Sequence, residues 1–184
     1  VYADGERVYA QAGALLSKTA AVACEASLTG MEFASGIPGT LGGALRMNAG
    51  AYGGEMKQIV ESAEVLTSEG EVLNLTNEEL GMGYRTSVIA KNDYVALSAV
   101  LKLEKGDRQE IRAYMEDLKE RRVTKQPLEF GSAGSTFKRP EGYFAGKLIQ
   151  DSGMQGYRVG DAQVSEKHCG FVINRGNATA AEVM

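Results

Sequence analysis

Residues 35–54 read SGIPGTLGGALRMNAGAYGG, and seven of these twenty positions are glycine. The stretch is not low-complexity filler, since Pro38, Arg46, Asn48 and Tyr52 punctuate it. Glycine reaches positive φ and lets a ligand lie against the main chain. Successive free N–H groups can then form an anion-binding nest, with diphosphates as the usual guest. A purely structural glycine-rich connection is the competing reading. Two familiar phosphate motifs fail. A Walker A loop ends in Gly-Lys-Ser/Thr, which GTLGGALRM lacks, and in GYFAGKL the Gly-Lys pair runs into Leu148. The dinucleotide pattern G-x-G-x-x-G is absent from 36–54 as well.

The 184 residues, 43% hydrophobic and 24% charged, suit one large or two small globular domains. No run of 18 apolar residues suggests a membrane span, and no basic-then-apolar leader suggests a signal peptide. Cys24 and Cys169 are far apart and do not make a disulfide framework, so a reducing cytoplasm is the simplest expectation. One histidine, His168, and no paired ligand spacing argue against a metal site. Net charge is −4, yet residues 121–175 hold nine Lys/Arg against five Asp/Glu. A local basic zone on an acidic chain fits a small anionic ligand better than nucleic acid.

Local signals organise the chain. VYA and RVYAQ flank Asp4-Gly5, predicting a hairpin over 1–10. The Ala-rich run 13–27 predicts a helix. Residues 62–76 predict a second hairpin around Ser68-Glu69-Gly70, and 92–106 a β-rich run. A helix is expected from 107, capped by Asp107, with Pro127 just beyond its end. Further on, YFAGKLIQDSGMQG predicts a short amphipathic helix stopped by Gly153, and CGFVINRG a buried strand. Asn177 is the expected cap of a last helix. The domain boundary is placed near 124–130.

Four ordered stretches carry a resemblance: GIPGTLGGALRMNAGAYGGE at 36–55, YRTS at 84–87, GSAGSTFKRP at 131–140 and AQVSEKHCGFVINRGNATAAEV at 162–183. Together they resemble the bacterial UDP-N-acetylenolpyruvoylglucosamine reductases, in their shorter subtype. The resemblance implies an α+β fold: an FAD-binding domain of the vanillyl-alcohol-oxidase type over 1–124, and a smaller α+β substrate-binding domain over 125–184. It also implies cofactors FAD and NADPH, and UDP-N-acetylglucosamine-enolpyruvate as the small-molecule substrate. No nucleic-acid or membrane partner is expected, and the oligomeric state stays open. In such a protein the glycine-rich loop lays its backbone along the FAD diphosphate. By position, Ile37, Gly39, Gly42, Gly43, Asn48 and Gly50 would line the cofactor.

The implied reaction reduces an enolpyruvyl ether, so negative charge develops beside a carboxylate. Arginine binds a carboxylate through a planar fork. Arg85 matches the family's arginine; local sequence alone favours a surface ion-pair residue, and the ordered motifs reverse that preference. A hydroxyl can protonate an enolate. Ser135 matches the family's donor serine; Ser132 and Thr136 are chemically equivalent rivals, and the resemblance alone selects Ser135. Lys125 matches a lysine that helps hold the nucleotide-sugar, and Lys138 and Arg139 could face its diphosphate. All three also read as solvated charges at a helix end or in a loop. His168 beside Cys169 is no nucleophilic pair, because adjacent strand residues point to opposite faces. His168 is therefore given no catalytic role.

The chain departs from the family in three ways. No GxGSN-type loop precedes residue 14, and no glutamate follows the last helix, so a fragment lacking both ends is expected. Arg46 stands where relatives carry an aromatic or aliphatic residue. Two alternatives remain: an oxidase of the same flavin fold, and a UDP-sugar-binding remnant without flavin activity.

Overall fold

A computed structural model describes all 184 residues. They form two compact units, Val1–Lys119 and Glu120–Met184. The division falls inside a long helix, slightly N-terminal to the 124/125 boundary expected from sequence.

The first unit opens with the hairpin β1 (Tyr2–Asp4) and β2 (Arg7–Gln11), with Asp4 opposite Arg7. Gly5 sits in the turn at φ 59°, where glycine carries no steric penalty. Helix α1 (Leu16–Glu25) follows, then the short β3 (Leu28–Thr29). The glycine-rich stretch folds as helix α2 (Leu41–Met47) and a tight hairpin, β4 (Gly50–Ala51) with β5 (Gly54–Glu55). Next come β6 (Val60–Leu66), β7 (Val72–Thr76), a single helical turn α3 (Val88–Lys91), β8 (Val95–Lys102) and β9 (Glu104–Lys105). Helix α4 (Arg108–Lys125) is capped as expected: Asp107 Oδ1 accepts from the amides of Gln109 and Glu110 at 2.8 and 3.0 Å.

Five strands make one antiparallel sheet in the order β1-β2-β8-β6-β7. Alternation puts Val8, Ala10, Ala63, Val65, Ala99 and Leu101 on one face, all buried. They share a core with Leu16, Ala20 and Ala23 of α1 and Leu41, Ala44 and Leu45 of α2. Each fully buried leucine contributes about 2 kcal/mol by removal from water.

Helix α2 corrects the reading of residues 35–54 as a loop. Leu41, Ala44 and Leu45 stand at i, i+3 and i+4, and all are buried. Tertiary burial therefore outweighs the poor helix propensity of Gly42 and Gly43. Asn48 ends the helix in the left-handed region at φ 44°, and the Ala49 amide reaches back to the Ala44 carbonyl at 2.9 Å.

The second unit holds β10 (Gly131–Ser135), helix α5 (Ala145–Asp151), β11 (Arg158–Val159), β12 (Ala162–Val164), β13 (Phe171–Asn174) and helix α6 (Ala180–Val183). Its sheet is antiparallel in the order β10-β13-β12-β11. Gly153 follows α5 at φ 74°; no residue of the helix is fully buried, and Ala145, Gly146 and Ile149 are its half-buried side. Asn177 is not the last helix cap. Thr179 caps α6 in a reciprocal box with Glu182, while the Asn177 amide donates to Asp161.

Candidate functional site

The glycines of residues 35–54 divide into two kinds. A Cβ on Gly54 would stand 2.5 Å from Phe33 Cδ1, and one on Gly50 2.7 Å from the Gly54 carbonyl oxygen. A Cβ on Gly42 would meet Ala12 Cβ at 3.0 Å. These three are bare because protein packs against them. At Gly39 nothing lies within 4 Å, and at Gly43 only Thr40 Oγ1 does, at 3.8 Å. Their open backbone is what a cofactor approaching the main chain requires. Ile37 is half-buried against the core.

Asn48 is 3% exposed, and its side chain is consumed by the protein. Its Nδ2 donates to Glu55 Oε2 at 3.0 Å and to the Gly83 carbonyl at 3.1 Å. Its Oδ1 accepts from the Lys57 amide at 2.9 Å. The amide therefore clamps three segments together. Arg46, flagged as a departure, turns toward α3: it donates to the Ile89 carbonyl at 3.3 Å and pairs with Asp93 at 3.1 Å.

The clamp reaches the turn that carries Arg85. Gly83 and Thr86 exchange backbone hydrogen bonds of 3.0 and 3.3 Å around Tyr84-Arg85. Buried Ser87 donates its hydroxyl to the Arg46 carbonyl at 2.9 Å, fastening the turn a second time to α2. Arg85 itself is exposed, with its guanidinium 5.7 Å from the Tyr84 ring centroid. Its φ is 57°, an uncommon conformation for a long side chain and one that clusters at functional sites. The structure thus brings Arg85 onto the glycine-rich segment, in the first unit.

The second unit carries Ser135, Lys138, Arg139 and Lys125. Ser135 ends β10, exposed, after a register shift that begins at Ser132. Ser132 Oγ accepts from the Gly134 amide at 3.4 Å. Lys138 is exposed, and Arg139 stacks over Phe144 at 4.1 Å while donating to the Tyr143 carbonyl. Lys125 is the exposed last residue of α4. No group of His, Cys, Asp and Glu has metal-binding geometry.

Two domain families match the sequence. One described as an FAD binding domain covers residues 1–76. The other, described as the UDP-N-acetylenolpyruvoylglucosamine reductase C-terminal domain, covers residues 126–184. The chain is 63% identical over 181 residues to the UDP-N-acetylenolpyruvoylglucosamine reductase of Alkaliphilus oremlandii, covering 98% of this chain and 60% of that protein. With the Clostridium tetani reductase it is 58% identical, covering 98% and 59%. The chain belongs to the UDP-N-acetylenolpyruvoylglucosamine reductase family. A crystal structure of the Thermus caldophilus reductase superposes with a TM-score of 0.87 at 38% identity, over 98% of this chain and 66% of that one.

Within this reductase family member the glycine-rich stretch lies inside the FAD-binding match, and Ser135, Lys138 and Arg139 lie inside the C-terminal match. Arg85 and Lys125 fall outside both. Sequence reasoning missed the bonds that hold the Arg85 turn, Asn48 to Gly83 and Ser87 to Arg46, and missed Glu55 as a further partner of Asn48. Nothing local in YRTS announces them, because each bond spans seven or more positions.

Proposed function

We propose that the protein is an FAD- and NADPH-dependent oxidoreductase that reduces UDP-N-acetylglucosamine-enolpyruvate to UDP-N-acetylmuramate for peptidoglycan synthesis. The observation that carries the reading is the Arg85 turn, held in a rare backbone conformation and fastened to the glycine-rich segment by Asn48 and Ser87. The open backbone at Gly39 and Gly43 supports cofactor approach there, with Ile37 beside it. Gly42, Gly50 and Asn48 serve the cofactor indirectly, by shaping the segment.

FAD, held along the open backbone of Gly39 and Gly43 with Ile37 beside it, would supply the hydride chemistry that links NADPH to the terminal vinyl carbon of the substrate. Negative charge then grows on the adjacent carbon and its carboxylate. Arg85 offers a fixed positive fork for that carboxylate, worth most where water is excluded. Ser135 donates its hydroxyl proton to the carbon bearing the carboxylate and recovers a proton from solvent. Lys125, Lys138 and Arg139 supply positive charge for the substrate diphosphate. The work belongs to the cytoplasm, where cell-wall precursors are assembled, and supports cell shape and division. Two buried free cysteines are compatible with that reducing compartment.

The test uses the intact natural protein, loaded with FAD and reduced by NADPH without oxygen. Adding UDP-N-acetylglucosamine-enolpyruvate should reoxidise the flavin rapidly. Ser135→Ala should slow that step by about 100-fold or more while flavin stays bound. A flavin-loaded protein that is not reoxidised by this substrate overturns the reading. Reoxidation by oxygen after reduction with a small alcohol or sugar would point to the oxidase alternative.

A further inference from the structure

His168 belongs to the second unit, and the proposed reaction does not use it. It lies in the turn between β12 and β13 and is half-buried. A Cβ on Gly170 would stand 2.9 Å from His168 Cε1, and one on Gly146 of α5 3.2 Å from the same atom. The Phe171 ring meets the imidazole edge-on, with centroids 4.9 Å apart. Two glycines from separate elements are therefore bare where this ring passes.

The imidazole does a specific job in that space. Its Nδ1 accepts the Gly170 amide hydrogen at 3.1 Å, which requires that nitrogen to carry no proton. The Gly170 carbonyl accepts from the Thr136 amide at 2.9 Å. Ser135 pairs with Phe171 across the ladder, and its Oγ lies 3.4 Å from where a Gly170 Cβ would be. On its other side β10 is irregular, with the register shifting between Ser132 and Ser135. Regular pairing does not run back from Ser135 to Ser132, so Ser135 is placed by its pairing with Phe171 and by the adjoining Gly170 peptide.

Neighbouring charges are engaged elsewhere. Lys147 on α5 pairs with Asp151. Lys167 donates to the Val123 carbonyl at 2.9 Å and lies 3.7 Å from Glu129. The Glu166 carboxylate lies against Gly156. Ser165, 1% exposed, accepts from the His168 amide at 3.2 Å and so anchors the turn.

We propose that His168 is a positioning residue: its Nδ1 holds the Gly170 peptide and thereby aims the Ser135 hydroxyl. The proposal rests on the reading of Ser135 as proton donor. It is tested with His168→Asn, which keeps an acceptor oxygen near the place of Nδ1, and His168→Phe, which keeps the ring and loses the acceptor. In the intact FAD-loaded protein, His168→Phe should slow flavin reoxidation by substrate about tenfold or more. Flavin reduction by NADPH should be unchanged, and His168→Asn should restore the reoxidation rate. In a Ser135→Ala background His168→Phe should add nothing. An unchanged reoxidation rate overturns the proposal, as does equal slowing of both half-reactions or a further loss on top of Ser135→Ala.

Two readouts stand apart from activity. Hydrogen exchange at the Gly170 amide should be slow in the natural protein and in His168→Asn, and fast in His168→Phe. Nitrogen-15 shifts of the natural protein should show the neutral His168 ring carrying its proton on Nε2. A proton on Nδ1, or a fast-exchanging Gly170 amide, overturns the proposal even if His168→Phe fails to fold. If substrate never reoxidises the flavin, the donor reading of Ser135 fails, while these two measurements still decide the hydrogen bond.

Discussion

The side-chain amide of Asn48 donates to the main-chain carbonyl of Gly83 at 3.1 Å, joining the C-terminal end of α2 to the turn that presents Arg85. The same amide serves Glu55 and Lys57, so one buried group sets the mutual positions of three segments. Because Asn48 also occupies the left-handed region, glycine is the substitution that separates its two duties. Asn48→Gly keeps the backbone and deletes the bonds. It should cost about 1–3 kcal/mol in a denaturant melt, and exchange at the Thr86 amide should quicken. An unchanged melt would remove Asn48 from its structural role.

The two classes of glycine should respond in opposite ways to alanine. Gly54→Ala drives a methyl toward the Phe33 ring and should cost about 1–3 kcal/mol. Gly43→Ala meets open space inside a helix and should stabilise the flavin-free protein by about 0.5–1 kcal/mol. If Gly43 lines the cofactor as proposed, the same methyl should also weaken FAD binding in a fluorescence titration. Undiminished FAD affinity would move the cofactor away from Gly43.

The helical fold of the glycine-rich stretch has its own test. Leu45 is fully buried beneath it. Leu45→Ala should destabilise the protein by about 2–5 kcal/mol, the range for a buried leucine, whereas a loop leucine would cost little. Thermal or urea unfolding reads the difference.

Asp161 gives the second unit a dependence on acid. Its carboxylate accepts the Asn177 amide at 2.8 Å and the Arg158 guanidinium at 2.8 Å. The backbone bond first, and Arg158 second, hold its pKa below the ordinary aspartate value, against a smaller opposing effect of desolvation. The folded state therefore prefers the ionised group. Its stabilisation is fully present above the unfolded pKa and is lost as pH falls through the lower folded value. Slow exchange at the Asn177 amide should persist at neutral pH and disappear only in acid. Asp161→Asn should flatten that profile; a profile unchanged by the substitution would assign the acid dependence to another group.

Much of this architecture was readable because it is written locally. Asp107 caps α4 from the position next to it, Gly5 and Gly153 mark their own reversals, and the β6–β7 hairpin closes on its own turn. The helix in residues 41–47 is masked by composition: Gly42 and Gly43 lower its propensity, while the i, i+3, i+4 spacing of Leu41, Ala44 and Leu45 carries it. The last cap was missed although its signal was present, since Thr179-Ala-Ala-Glu182 is a capping-box sequence. The partners of Asn48 and His168 could not be read. A buried amide or imidazole chooses among donors that only the folded chain brings near.

Arg85 sits where the backbone favours glycine or asparagine. A library randomised at this codon and selected only for survival on heating should therefore drift away from arginine, because relieving the turn raises the melting temperature. Selection for the proposed reduction, in which Arg85 holds the substrate carboxylate, should pull it back. The codon would then report which pressure a lineage has been under, with heat resistance and growth drawing opposite residues from the same pool.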